Sequence, residues 1–123
     1  MARENTIEKK SKAFALRIVK LFGFLRGKRE TVMSKQVLRS GTSIGANVAE
    51  SKFAQSADDF ISKMSIALKE ASETYYWLEL LFDAGYLPDK PQTKTLFEDC
   101  DEIIRILVAS VKTAKENRRK QIE

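Results

Sequence analysis

The sequence predicts an all-α protein, an antiparallel four-helix bundle whose helices run up, down, up and down. Apolar residues recur at spacings of three and four in four segments, as they do in helices that bury one face. The only two prolines, Pro88 and Pro91, lie close together, so long helices can run on either side of them. Short connections favour antiparallel neighbours, and no Pro-, Gly- or Ser-rich linker divides the 123 residues. We therefore predict one domain spanning residues 1–123.

The first helix is predicted at about residues 3–26. Gly27 is well placed to end it, because glycine is favoured just past a helix C-terminus. Lys9, Arg17 and Lys20 fall well round from the apolar face, which makes the exposed face of this helix basic. The positions predicted to be buried are Ile7, Ser11, Phe14, Ile18, Leu21 and Leu25.

The second helix is predicted at about residues 34–53, with Ser34 as its N-cap. Glycine costs a helix interior about 1 kcal/mol relative to alanine, so Gly41 and Gly45 require a packing reason. Together with Ala49 they form a ridge of small residues that allows a neighbouring helix to approach closely. The side predicted to pack consists of Val37, Gly41, Ile44, Gly45, Val48 and Ala49.

The third helix is predicted at about residues 57–84 and the fourth at about 91–118. Ser56 or Ala57 opens the third helix, Gly85 closes it, and Pro91 sets the start of the fourth. The buried face of the third helix is predicted to consist of Ile61, Met64, Leu68, Ala71, Tyr75, Leu78 and Phe82. That of the fourth is predicted to consist of Leu96, Cys100, Ile103, Leu107, Val111 and Ala114.

Three stretches carry a resemblance to a known family: Leu38–Glu50, Phe60–Glu70 and Asp83–Leu87. They resemble the small four-helix-bundle proteins encoded by intervening sequences in bacterial 23S ribosomal RNA genes. A more distant similarity, of architecture alone, is to the accessory proteins of diversity-generating retroelements. The first resemblance implies a four-helix bundle that assembles into a ring of five, and the second implies rings that bind nucleic acid.

A polar row on the second helix indicates a contact between subunits. Arg39, Ser43, Asn47 and Glu50 recur every three or four residues on one helix face, where they can form a hydrogen-bond network. The family resemblance implies the same role for Arg39, Asn47 and Glu50. Ser51 departs from the family pattern, which has glycine there, and this bears on the turn that follows. The alternative is a solvated face with local side-chain pairs.

Three consecutive aromatic residues give a second indication of assembly. Tyr75, Tyr76 and Trp77 point about 100° apart on a helix, so all three cannot face one internal core. Tyr75 lies on the predicted buried face. We therefore expect Tyr76 or Trp77 to be exposed or to be buried by another chain, since both residue types are favoured at interfaces.

Charge is strongly segregated along the chain, and this predicts a basic surface. The net charge is +5, but residues 1–39 carry +8, residues 50–102 carry −7 and residues 103–123 carry +4. In an up-down-up-down bundle, the start of the first helix and the end of the fourth lie at the same pole. Such a surface favours contact with nucleic-acid phosphates. The residues predicted to make these contacts are Lys9, Lys10, Lys12, Arg17, Lys20, Lys112, Lys115, Arg118, Arg119 and Lys120.

The residue inventory argues against catalysis and against a bound metal or cofactor. The chain has no histidine, which removes Ser-His and Cys-His pairs and the Glu-x-x-His motifs of di-iron bundles. It also has no phosphate-binding glycine loop. Cys100 is in register with the buried face of the fourth helix, so we interpret it as a small apolar core group. Catalytic, metal and cofactor sites are therefore predicted to be absent.

Two functions remain open from the sequence. The first is a cytoplasmic homo-oligomer that binds RNA or DNA, chiefly through phosphates. The second is a scaffold that binds another protein, with its basic charge serving solubility. Attachment of the first helix to a membrane surface ranks last, because its apolar face is needed for the core. A single cysteine and the absence of a long apolar run favour a soluble protein of the reducing cytoplasm.

Overall fold

The protein, described by a computed structural model over residues 6–122, folds into four α-helices. The helices are α1 (Thr6–Gly27), α2 (Met33–Ser51), α3 (Ala57–Asp83) and α4 (Pro91–Ile122). No strand occurs within the described residues, so the all-α prediction is confirmed. The predicted start of the first helix near residue 3 lies outside the described residues. The fourth helix is longer than predicted and continues four residues beyond residue 118.

The helices are antiparallel to their neighbours and form a closed square. Each helix packs against two others, α1 with α2, α2 with α3, α3 with α4 and α4 with α1, and within residues 6–122 no backbone approach spans a diagonal. In each pair, ascending residue numbers on one helix meet descending numbers on the other, which confirms the up-down-up-down order. Side-chain pairs that fix these directions are Glu8–Lys52, Arg39–Glu70, Glu50–Lys63, Lys10–Glu102, Arg17–Asp99 and Asp58–Arg118.

The buried face of α1 is the one that the spacing predicts, and all six of its predicted positions are buried. The same holds for α4 through Val111, with Thr93 added at its start and Ala114 only half-buried. Cys100 is fully buried, as expected of a core group. These two helices bury side chains at one regular spacing, so apolar periodicity alone identifies their inner faces.

The buried face of α3 differs from the prediction. The core uses Ala67, Thr74 and Leu81, whereas Tyr75 is half-buried and Phe82 is exposed. Tyr75 and Phe82 instead pack edge-on against Phe97 of α4, with ring centroids 5.4 and 6.3 Å apart. Large aromatic rings therefore lie at the rim of the α3–α4 contact, and smaller side chains occupy the centre. Ile61 and Leu68, also predicted to be buried, are half-buried.

The N-terminus of α2 is capped by Glu30, and the prediction that Ser34 is the cap is wrong. Ser34 lies inside the first turn and is buried. The Glu30 carboxylate accepts hydrogen bonds from the backbone N–H groups of Val32, Met33 and Ser34 at 3.2, 3.0 and 2.6 Å. Three donors that the helix itself leaves unpaired are satisfied by one side chain. A carboxylate at this end also complements the helix dipole.

The turn between α1 and α2 is set by Arg29. Its φ of 64° is left-handed. Gly27, predicted to lie just past the helix end, is instead the last residue of α1, and Arg29 takes the left-handed position. The N–H of Glu30 bonds to the carbonyl of Leu25 and that of Arg29 to the carbonyl of Arg26, both at 2.9 Å. This is the paired hydrogen-bond pattern of a Schellman motif, formed here around an arginine.

The remaining helix ends follow the sequence signals. The Ser56 hydroxyl accepts a hydrogen bond from the N–H of Asp59 at 3.0 Å, so Ser56 caps α3. Gly85, at φ 87°, closes α3 in the left-handed conformation that glycine adopts without strain. Pro91 is the first residue of α4. Each of these three predictions is confirmed.

Candidate nucleic-acid and subunit interfaces

The predicted basic residues at the start of α1 and the end of α4 lie at one pole, whereas Arg17 and Lys20 lie further along α1, beside Leu87 and Pro88 of the opposite pole. Among the predicted cations, three have carboxylate partners within residues 6–122. Lys10 pairs with Glu102 at 3.2 Å, and Arg17 pairs with Asp99 at 2.7 Å. Both pairs join α1 to α4. Arg118 pairs with Asp58 and joins α4 to α3. These cations therefore stabilise contacts between helices, which the sequence prediction did not anticipate.

Arg17 is the most fully bonded of the predicted phosphate contacts. Besides its pair with Asp99, its guanidinium donates to the carbonyl of Gln92 at 3.0 Å and to the hydroxyl of Thr95 at 3.1 Å. Three partners on α4 hold a side chain that is about one third exposed. Binding a phosphate through Arg17 would require it to give up bonds that it already makes.

The other predicted cations are exposed. Within residues 6–122, Lys112, Lys115, Arg119 and Lys120 make no ion pair, and they follow one another along the last three turns of α4. Residues 110–122 contain five Lys or Arg and one Glu. Lys9, Lys12 and Lys20 are exposed along α1. The basic charge available to a partner is thus concentrated at the end of α4.

Arg39, at the start of the predicted polar row on α2, is bound to α3. Its guanidinium donates to the Glu70 carboxylate at 3.1 Å and to the Glu73 carboxylate. Glu73 also accepts a hydrogen bond from the Trp77 indole Nε1 at 2.9 Å. These hydrogen bonds, from Trp77 and then Arg39, lower the pKa of the Glu73 carboxyl. The four side chains form one network on the outer α2–α3 face.

The other members of the polar row are also hydrogen-bonded within the chain. The Ser43 hydroxyl donates to the carbonyl of Arg39 at 2.6 Å, and the Asn47 amide donates to the carbonyl of Ser43 at 2.9 Å. Glu50 pairs with Lys63 of α3 at 3.3 Å. The row is continuous, as the spacing predicts, and it borders α3. A second subunit that used it would meet side chains already held in place.

Of the aromatic triplet, Tyr76 is the exposed member. Its side chain is 55 % exposed, whereas Tyr75 and Trp77 are half-buried. Tyr76 and Trp77 pack edge-on with ring centroids 5.3 Å apart. Together they form an aromatic surface beside the network of Arg39, Glu70 and Glu73.

The glycine ridge of α2 faces α1. A methyl group on Gly41 would lie 2.8 Å from Ile18 Cγ1, and one on Gly45 would lie 3.4 Å from the carbonyl oxygen of Ser11. Gly41 therefore makes room for the Ile18 side chain, and Gly45 allows the backbone of α1 itself to come close to α2. Ala49 is exposed, so the ridge predicted to continue to that residue ends at Gly45.

Comparison with known proteins shows the family of the chain. The family model of the 23S rRNA-intervening sequence protein matches residues 3–109. The chain belongs to this family. A crystal structure at 1.70 Å resolution of a protein of unknown function from the S23 ribosomal protein family, from Bacteroides thetaiotaomicron, is 51 % identical. The similarity covers 87 % of this chain and 99 % of that one, with a TM-score of 0.84. No curated protein matches the chain.

Ser51 stands where the family pattern has glycine. Ser51 is buried as the last residue of α2, and its hydroxyl donates to the carbonyl of Val48 at 2.6 Å. Lys52 follows with a right-handed φ of −66°. Because no left-handed residue is needed at this point, glycine is not required here.

Among residues 6–122, no three His, Cys, Asp or Glu side chains are grouped so that they could hold a metal ion. No helix in the same range combines the length and apolar character needed to span a bilayer. One feature that the spacing did not indicate is a groove beside the end of α4, which contacts Phe60 of α3.

Proposed function

We propose that this protein is a non-enzymatic, cytoplasmic homo-oligomer that associates with nucleic acid through its basic surface. The observation that carries the proposal is the row of exposed cations on α4: Lys112, Lys115, Arg119 and Lys120. When such cations contact phosphates, they displace counterions that are condensed on the nucleic acid. The release of these ions drives sequence-independent binding. The family description, which links these proteins to ribosomal RNA genes, also favours a nucleic-acid partner.

Binding is tested by fluorescence anisotropy with labelled RNA and DNA over a range of salt concentrations. Replacing Lys112, Lys115, Arg119 and Lys120 by glutamine should weaken binding and lower the slope of log K against log salt, by about 0.7 to 0.9 per lost phosphate contact. The matched control replaces Lys28, Lys35, Lys90 and Lys94, four exposed lysines at the opposite pole, by glutamine. If the wild-type protein binds neither RNA nor DNA at low salt, the proposal is wrong.

Self-association is supported by exposed apolar side chains on the outer helix faces. Tyr76 is 55 % exposed, and it lies beside the polar row of α2. Family resemblance implies five copies in a ring. A ring would multiply the α4 cations and raise the avidity for a long nucleic acid.

Light scattering tests the assembly. Tyr76→Glu should reduce the molar mass, because it places a charge on the proposed contact face. Val108→Glu, a change of the same kind at a 49 % exposed residue of α4, should leave the mass unchanged. A wild-type protein with the mass of one chain at micromolar concentration would contradict self-association.

A protein-binding scaffold is the second candidate function, favoured by Phe53. Its side chain is 80 % exposed at the end of α2, where an exposed aromatic ring is suited to anchor a partner. If the protein is such a scaffold, the glutamine variant of the four α4 cations should still bind the same partner proteins as wild type. Recovery of the same proteins by wild type and by that variant, with no bound nucleic acid, would favour the scaffold.

A further inference from the structure

The end of α4 extends beyond the level of Thr6, the first described residue of α1. Lys10 pairs with Glu102 and Arg17 with Asp99, so Thr6 lies level with about residue 106 of α4. The helix continues for another 16 residues to Ile122. At a rise of 1.5 Å per residue, this is about 24 Å. Within residues 6–122, α3 covers one flank of this segment and no helix covers the other.

The uncovered flank forms a groove with a floor of small and polar side chains. Its volume is about 370 Å³, and Phe60 at the start of α3 forms one wall. Phe60 is half-buried because one side of its ring packs against the core. The residues of α4 in the groove are Ala109, Ser110, Thr113, Ala114 and Asn117.

The polar groups of this groove are available to a ligand. Within residues 6–122, the side chains of Ser110, Thr113 and Asn117 make no hydrogen bond. Two hydroxyls and one amide can thus donate to or accept from a bound molecule. Lys120 lies on the same helix face, seven residues after Thr113 and three after Asn117.

Positive charge lies at one end of the groove, at Lys120, and along the outer face of α4 behind it. Lys112 and Lys120 are exposed and have no carboxylate partner within the described residues, and Arg119 extends the charge along the outer face of α4. Glu116 is the one carboxylate on these turns. A ligand that fits therefore carries negative charge at intervals and a flat group that can lie on the ring of Phe60.

We propose that this groove binds an unpaired segment of RNA or DNA, with a base on the Phe60 ring and an adjacent phosphate on Lys120. The inference rests on the proposed function and names the form of nucleic acid that the site recognises. An aromatic ring beside a cationic row is the combination that binds single strands, because stacking requires an exposed base face. In a duplex the bases are already stacked on one another, so a duplex contacts only the cations.

The test compares a labelled single-stranded RNA, the same sequence as DNA, and the RNA duplex. Phe60→Leu keeps an apolar side chain against the core and removes the ring. It should weaken single-strand binding about tenfold, in the range found when a stacking residue is removed, and leave duplex binding unchanged. The matched control is Phe53→Leu, which removes an exposed ring at the same pole and should change neither.

A second variant tests the groove without altering the core. Thr113→Glu adds a carboxylate at an exposed position and should weaken single-strand binding more than Gln121→Glu, which adds the same charge at the end of the same helix. A 2-aminopurine base in the strand should lose fluorescence on binding to wild type, because stacking quenches it. It should lose less on binding to Phe60→Leu.

The outcomes separate this inference from the proposed function. If the wild-type protein binds no nucleic acid, the proposed function fails. If it binds, but single strand and duplex bind equally and Phe60→Leu has no effect, the groove assignment alone is wrong. A change in molar mass with Thr113→Glu, at unchanged affinity, would show that the groove instead holds a second copy of the chain.

Discussion

Gly41 of α2 lies directly against Ile18 of α1. A methyl group in place of the glycine hydrogen would be 2.8 Å from Ile18 Cγ1 and 2.9 Å from Cγ2, closer than carbon atoms pack. Ile18 is fully buried and branched at Cβ, so it has little freedom to move aside. The distance between the two helices at this point is therefore set by the absence of a side chain on residue 41.

We predict that Gly41→Ala destabilises the protein, although alanine is the better helix former. Overpacking of a core costs about 1 to 3 kcal/mol, which exceeds the gain of about 1 kcal/mol in helix propensity. Gly23→Ala is the control, because nothing lies within 4 Å of the added methyl group and α1 should gain stability. Urea unfolding of both variants measures the two free energies of unfolding. The interpretation would be wrong if both substitutions raised stability equally.

Removal of the cap on α2 should lower stability in a pH-dependent way. Burial raises the pKa of the Glu30 carboxyl, but hydrogen bonds from the N–H groups of Met33, Ser34 and Val32 outweigh this and leave the pKa below its ordinary value. The native state therefore favours the ionised form. Its contribution to stability is present above the carboxyl pKa of the unfolded chain and is lost as pH falls through the lower, native value.

Glu30→Ala should cost about 1 kcal/mol at pH 7, as the loss of a helix cap does. The difference from wild type should narrow as the pH falls below about 4, the range in which free glutamate is protonated. Thermal unfolding followed by circular dichroism between pH 2.5 and 7 measures this difference in stability. The control is Glu79→Ala, a change at an exposed carboxylate. A difference that stays constant over this range would show that the charge of Glu30 does not contribute.

A buried pair of hydroxyls between α2 and α3 should be coupled. Thr74 and Ser40 are fully buried with their hydroxyl oxygens 2.8 Å apart, and the Thr74 hydroxyl also bonds to the carbonyl of Glu70 at 2.8 Å. Thr74→Val should cost about 1 to 3 kcal/mol, because it leaves a buried hydroxyl without its partner. The double variant with Ser40→Ala should lose less free energy of unfolding than the sum of the losses in the two single variants. Additive free energies of unfolding would contradict the coupling.

The Cys100 thiol should be unreactive in the native protein. It is fully buried and 3.5 Å from the carbonyl of Ala71. Burial, with smaller contributions from the charges of Asp101 and Asp99, raises the pKa of the thiol to about 12. Because the thiolate is the nucleophile, alkylation by iodoacetamide at pH 8 should require unfolding. Rapid labelling in native buffer, at the rate measured in denaturant, would contradict the buried assignment.

The sequence predicted the helices and most of their faces, but it did not predict which side chains pair across them. In α1, a single apolar row from Ile7 to Leu25 fits one buried face. In α3, the aromatic residues Tyr75 and Phe82 fit the period as well as Thr74 and Leu81 do. The choice between the two rows depends on Phe97 of α4, which the spacing within α3 cannot reveal.

The shift of α4 along α1 explains why the sequence did not predict the ion pairs between these two helices. Arg17 lies outside the core of α1, as predicted, but the pairing of Lys10 with Glu102 and of Arg17 with Asp99 depends on how far α4 is shifted along α1. The exposure of the cations at the end of α4 depends less on this shift, because they lie beyond the level of Thr6, the first described residue of α1. The groove at Phe60 likewise depends on that shift, and no local pattern near residue 60 indicates it.

The order in which the four helices meet also determines how far apart in the chain their contacts are. Three of the four packed pairs join consecutive helices. The pair of α1 and α4 is the exception, since Lys10 and Glu102 are 92 positions apart. A topology with mostly local contacts has a low contact order and folds in microseconds to milliseconds. The first and last helices meet across almost the whole polypeptide, so we expect their junction to be the slowest contact to form.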